Sequence, residues 1–348
     1  MSVSIKEKMF FVENLSLMIK GGIPIAEALE TLKKEVKSKT FKKALDDILK
    51  RILEGGALSE AMSSYPKIFD KFFENVVKLG EKSGTLQENL RYLALHLRKD
   101  YEMKKNIRGA MIYPAIIIIV GLIIAFTVTF FILPKITDLL KILGVELPLA
   151  TKILINSSSF FKENSILIIS GLIFVILIFK FILKLKFIKF YFDKTSLSLP
   201  IFGQIFRNLS LARFSRFSYT LFKSGMPVLE ALKISSDSLP NEVYKRNLTS
   251  VRLEVERGGK ISQGLKNFPK VFSLTFCQMI SIGEKTGALE ESFLYLARFY
   301  ERESTSVLKN LSAILEPILL ILVGVFVGFI ALAIITPIYR FTGSLRFR

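Results

Sequence analysis

The chain has 348 residues, 51% of them hydrophobic, and 49 Lys and Arg against 30 Asp and Glu give a net charge of +19. That charge beside a mean hydropathy of +0.43 excludes a disordered chain, which needs low hydrophobicity, and implies apolar runs kept apart from basic surface. A single cysteine, Cys277, and a single histidine, His96, exclude an internal disulfide and leave little basis for His-based metal or acid–base chemistry.

Residues 1–108 read as a helical bundle. Met1–Phe10 is charged and lacks an apolar h-region, so no cleaved signal is expected and this part is placed in the cytoplasm. Phe11, Val12, Leu15, Met18 and Ile19 share one helix face. Gly21-Gly22 stops that helix and Pro24 starts the next. Gly55-Gly56 breaks the chain again, and Phe72, Phe73, Val76 and Val77 form another apolar face. After the turn Gly80-Glu81-Lys82-Ser83-Gly84, Thr85-Leu-Gln-Glu88 has the form of a capping box, and Leu86, Leu90, Leu93, Leu97 and Tyr101 make the next buried stripe. His96 lies on that helix and reads as a solvated residue.

The run 109–134 is uncharged and long enough to cross a bilayer, which takes about 20 apolar residues. A loop, 135–163, follows. The run 164–183 is read as a second span, its lysines placing their ammonium groups at the headgroups. Residues 184–310 are a basic linker and a second helical domain. The stretch 311–339 is the third span, and 340–348 a tail.

Lys and Arg number 21 in residues 1–108 but four in 134–163, with 21 more in 180–311. The excess marks the cytoplasmic sides. The expected order is N-terminus inside, loop 135–163 outside, second domain inside, tail outside. The fold class is therefore all-α: two repeated cytoplasmic helical-bundle domains plus three transmembrane helices.

The two domains are one text written twice, at an offset of 203. Gly22, Pro24 and Glu27 pair with Gly225, Pro227 and Glu230; Gly80, Glu81 and Gly84 pair with Gly283, Glu284 and Gly287. The register continues without a gap through Tyr113 and Glu316, Pro114 and Pro317, and Pro134 and Pro337. Parallel units require both soluble copies on one face of the membrane, hence an odd number of crossings between their spans.

The glycine turns are not Walker loops, because the Lys precedes the final Gly; they read as structural turns, with partner binding a lesser alternative. Gly324-Val-Phe-Val-Gly328 is a candidate helix-packing motif, within or between chains. No catalytic constellation, cofactor site or metal site is found. The net positive charge needs no nucleic acid, since such charge is expected beside cytoplasmic span ends and toward anionic lipid.

These motifs resemble the type II secretion F and type IV pilus inner-membrane platform proteins. The resemblance rests on G-x-P-x-x-E-A-L at Gly22–Leu29 and Gly225–Leu232, the glycine turns at 80–84 and 283–287, and the membrane entry Ala110-Met-Ile-Tyr113-Pro114 with its exit at Pro134. It implies a non-enzymatic platform in the inner membrane. The implied partners are a cytoplasmic secretion or pilus ATPase, pilin or pseudopilin subunits, other inner-membrane assembly proteins and lipid. A homo-oligomer, first of all a symmetric dimer, is also expected. A small channel or transporter is the rival class, and a competence DNA-uptake platform is a variant of the same reading.

Overall fold

The computed structural model describes residues 3–132, 164, 167, 170, 171, 174, 175, 178, 185–200 and 202–345. Among these, every regular element is helical. They divide into two units, one drawn from Met1–Asn106 and Lys189–Val307, the other from Ile107–Ile188 and Leu308–Arg348.

The first unit holds two bundles. The first bundle runs α1 (Ile5–Lys20), α2 (Ile25–Glu35), α3 (Lys39–Leu53), α4 (Leu58–Ser63), α5 (Lys71–Ser83) and the start of α6 (Leu86–Thr127). Local chemistry sets the starts: the side chains of Ser4, Ser38 and Asp70 each accept a backbone N–H in the first turn of α1, α3 and α5. The expected capping box at α6 does not close among the described residues; Thr85 Oγ1 lies 2.6 Å from Ser83 Oγ instead. Phe11, Phe41, Phe69 and Phe73 form the aromatic centre, with Phe11 edge-on to Phe41 at 5.3 Å and Phe69 against Phe73 at 5.0 Å. The stripe Leu86, Leu90, Leu93 and Leu97 is buried beside it.

The second bundle is preceded by a helix, α7 (Lys186–Ser198), where the sequence suggested a linker. Phe190 and Leu197 pack it onto the bundle core. Asp193 accepts the Glu242 N–H at 2.8 Å, and the Arg246 guanidinium sits 4.1 Å from the Phe190 ring centre. Then come α8 (Phe202–Lys223), α9 (Val228–Asp237), α10 (Glu242–Glu256), α11 (Ile261–Lys266), α12 (Leu274–Thr286) and α13 (Leu289–Leu345). Helices α10, α11 and α12 begin and end at the positions equivalent to α3, α4 and α5, 203 residues on.

Among its described residues the second unit includes the apolar parts of α6 and α13, both long and apolar enough to cross a membrane. Ile112, Ile119, Leu122, Ile321, Leu322 and Val325 are exposed on them, an apolar surface of the kind that lipid or a partner covers. Beyond Thr127, α6 gives way to a π-helical turn, Val128–Ile132. Loop 135–163, Pro134 and most of the run 164–183 lie outside the described residues.

Candidate functional site

The duplicated glycine segments are not the turns read from sequence: residues 80–83 and 283–286 complete the last turns of α5 and α12, and only Gly84 and Gly287 leave the helix. Gly84 caps α5 in the left-handed conformation, φ 71°, and Gly287 caps α12 at φ 72°, where a Cβ would be strained. The other glycine of each segment, inside the helix, faces a neighbouring helix. A Cβ on Gly80 would lie 2.8 Å from Leu86 Cα, and one on Gly283 would lie 3.0 Å from Ser292 Cβ.

Between them, the glutamate reaches back to a short helix. Glu81 accepts the Leu58 N–H and, at 3.1 Å, the Ser59 N–H; Glu284 accepts the Ile261 N–H and, at 3.1 Å, the Ser262 N–H. Neither α4 nor α11 has a side-chain cap of its own. The carboxylate therefore satisfies N–H groups that would otherwise be orphaned, and it sits at the positive end of the helix. Lys82 and Lys285, next to the glutamates, are exposed. The C-terminal turns of α5 and α12 are thus clamps inside each bundle.

The other repeated motif also shapes backbone. Gly22 and Gly225 take φ 81° and 80°, and Pro24 and Pro227 precede α2 and α9 at φ −56° and −58°. Glu27 and Glu230 stand exposed in the first turns, beside the helix N-termini they favour. The next two residues, Ala28-Leu29 and Ala231-Leu232, are fully buried.

A seam joins the two bundles within the first unit. Phe217 of α8 lies 4.3 Å from the Phe72 ring and 4.9 Å from His96, which is edge-on to Phe72 at 5.3 Å. Tyr219 meets Tyr92 edge-on at 6.3 Å, and Ser224 Oγ donates to Asn89 Oδ1 at 2.8 Å. The buried Asn89 amide in turn donates to the Val76 carbonyl at 3.0 Å. Arg213 Nη2 donates to Asp100 Oδ1 at 2.9 Å. His96 is therefore half-buried in a ring sandwich, not a solvated residue as its place on the helix suggested. Burial pulls its pKa down to about 4, with the cations Arg213 and Lys8 adding to that and Asp100 and Asp70 opposing it. Burial would raise the Asp100 carboxyl, but Arg213 and Lys104 outweigh it and hold it below the usual range.

On the long helices, Tyr113 donates to Glu316 Oε1 at 3.3 Å. Pro114 and Pro317 follow them directly inside α6 and α13, and Pro337 lies further along α13. A Cβ on Gly324 or Gly328 would meet no heavy atom within 4 Å, so the GxxxG pair closes no contact among the described residues. No cluster of three metal-ligating side chains is present among them either.

Comparison with known proteins agrees with the duplicated architecture. The family profile of type II secretion system protein F matches twice, over residues 11–134 and 214–337, which is the same offset. The chain is similar to the type IV pilus assembly protein PilC of Thermus thermophilus, 31% identical over 98% of this chain and 84% of that protein. It is 30% identical to the Pseudomonas aeruginosa type IV pilus assembly protein PilC, over 95% and 88% of the two chains. It is 28% identical to the type II secretion system protein F of Vibrio cholerae, over 97% and 82%. The chain belongs to the type II secretion system protein F family.

Proposed function

We propose that this chain is an inner-membrane platform of a type IV pilus or type II secretion machine. On this reading both bundles face the cytoplasm and take the stroke of a secretion ATPase. The apolar helices pass the motion to pilin or pseudopilin subunits in the bilayer. The observation that carries it is the repeat itself: a clamped bundle followed by an apolar helix, twice, matched by one family over both halves. Three spans, with 164–183 as the middle one, put both bundles on the Lys- and Arg-rich side.

Rigid bundles suit the role. Each short helix is pinned by a carboxylate from another helix, so force on one surface moves the whole body rather than unwinding a corner. Two experiments test the reading. Cys introduced at 145 should be labelled only from outside and Cys at 240 only from inside. The full chain in detergent should co-purify with its cognate ATPase. Labelling of both positions from one side, or no ATPase retained, counts against it.

A further inference from the structure

The seam between the bundles is not symmetric, and its asymmetry leaves two matching faces uncovered. In the seam, the α5/α6 face of the first bundle receives the α8 face of the second. Two-fold packing of equivalent bundles would repeat each contact at the 203 offset: Phe72–Phe217 would have a twin at Thr275 and Asn14, and Tyr92–Tyr219 a twin at Tyr295 and Ser16. Neither twin position is covered in this way: Thr275 is exposed and Tyr295 is 48% exposed. The contact is head-to-tail, and such contacts continue from molecule to molecule.

Exposure identifies the vacant ends. Tyr92 is 6% exposed under α8, while Tyr295, the same residue at the equivalent place, is 48% exposed. Thr220 of α8, one helical turn from Phe217, is 1% exposed, and its equivalent on α1, Leu17, is 60% exposed. Phe10 and Asn14 lie on the same side of α1 as Leu17, and Phe10 is exposed too. Beside Leu17 an open groove of about 240 Å³ runs between α1 and α6. A large aliphatic residue is uncovered where a buried threonine stands in the other copy. An aromatic residue is uncovered where its twin is buried.

We propose that the α1 face of one molecule docks on the α12/α13 face of a second copy, repeating the seam between chains and giving a head-to-tail assembly rather than the two-fold dimer expected from sequence. The offset fixes the register. The equivalents of the Arg213–Asp100 pair are Phe10 and Glu303, and those of Phe217 and Phe72 are Asn14 and Thr275. These residues should be neighbours across the interface.

The test uses the full chain in its membrane, in a Cys277→Ala background, with two differently tagged versions and a short bismaleimide cross-linker. Chains carrying Phe10→Cys mixed with chains carrying Glu303→Cys should give a species holding both tags, as should Asn14→Cys with Thr275→Cys. Each single-cysteine chain alone should give none. Leu17→Glu should lower the yield about tenfold or more. An Asp100→Cys/Arg213→Cys chain, cross-linking within itself, shows that the seam is formed and within the reagent's reach. If that control reacts while the mixed pairs do not, the proposal fails. It also fails if Phe10→Cys chains link to one another, which marks a two-fold dimer, or if Phe10→Cys links only to a different protein or to lipid.

Discussion

Tyr113 and Glu316 occupy the same position in the two halves of the chain, and they touch: the phenol donates to the carboxylate at 3.3 Å. The repeats have diverged here so that one copy supplies a donor and the other an acceptor. Identical residues could not have divided the roles so cleanly. Glu316→Gln keeps an acceptor and should leave the thermal midpoint in detergent close to that of the parent chain, while Glu316→Leu should lower it. Tyr113→Phe should then add little on top of Glu316→Leu, since the partner is already gone. An equal loss from Tyr113→Phe in both backgrounds would show that the two side chains are not coupled.

The glutamate clamps predict a larger effect. Glu81→Ala leaves the Leu58 and Ser59 N–H groups without their acceptor and should destabilise the first bundle by about 2 kcal/mol, the scale of a charge-assisted bond combined with a lost cap. Glu284→Ala should do the same in the second bundle. Glu81→Gln retains an oxygen for one N–H and should lose about half as much. Chemical denaturation with a probe in each bundle checks this. A change below about 0.5 kcal/mol would mean that water caps α4 just as well.

Gly80→Ala and Gly84→Ala should fail for different reasons. At Gly84 the new Cβ has open space but sits on a backbone with φ 71°, so about 1 kcal/mol of backbone strain is expected. At Gly80 the Cβ would approach the Leu86 backbone at 2.8 Å, and α5 and α6 must move apart, for about 2–3 kcal/mol. The order of the two losses is the test. A Gly84 variant worse than a Gly80 variant would contradict the packing argument.

The equivalence of the two halves was legible in the sequence because the repeat has no gap: α10, α11 and α12 stand 203 residues after α3, α4 and α5. The buried stripes followed from 3.6-residue periodicity; of the glycine segments only the helix ends at Gly84 and Gly287 were legible, since Gly80 and Gly283 lie within α5 and α12. The role of Glu81 was not legible, because its N–H partners lie 22 and 23 residues earlier and no local pattern links them. The setting of His96 was hidden for a related reason. Its own helix shows only a residue beside Arg98, Lys99 and Asp100, and the cover comes from Phe217 in the other half of the chain. The helix α7 was masked by a run of lysines that reads as linker, although Phe190, Asp193 and Leu197 hold it to the bundle.

His96 makes the seam sensitive to acid. The folded pKa of about 4 lies below the unfolded value of about 6.5. Near pH 7 both states are neutral and nothing is lost. As pH falls from about 6.5 toward 4, the unfolded chain takes up the proton first, so stability declines across that window. At about 1.4 kcal/mol per pH unit, the loss is at most about 3.5 kcal/mol. Asp100, Asp70, Arg213 and Lys8 surround the ring, so the slope belongs to the group as a whole. His96→Phe, which keeps the ring packing and cannot charge, should flatten the pH dependence of unfolding between pH 6.5 and 4. An unchanged slope would assign it to the carboxylates alone.

The ion pair Arg216–Glu301 is largely buried, with both Nε and Nη2 of the arginine donating to the same carboxylate oxygen, at 2.9 and 2.6 Å. Removing one partner strands a buried charge, so Glu301→Ala should destabilise the second bundle by about 3 kcal/mol. At the equivalent positions of the first bundle the charges are reversed, Glu13 and Arg98, and both line one groove. The fold thus accepts either polarity across α1/α6 and its counterpart α8/α13. Arg216→Glu combined with Glu301→Arg should therefore recover more than half of what either single substitution loses. If the double variant is as unstable as the singles, the position of Arg216 beside Arg213 and Asp100 at the seam, and not the pairing itself, dictates the polarity, and the two halves of the chain are less interchangeable there than their shared register implies.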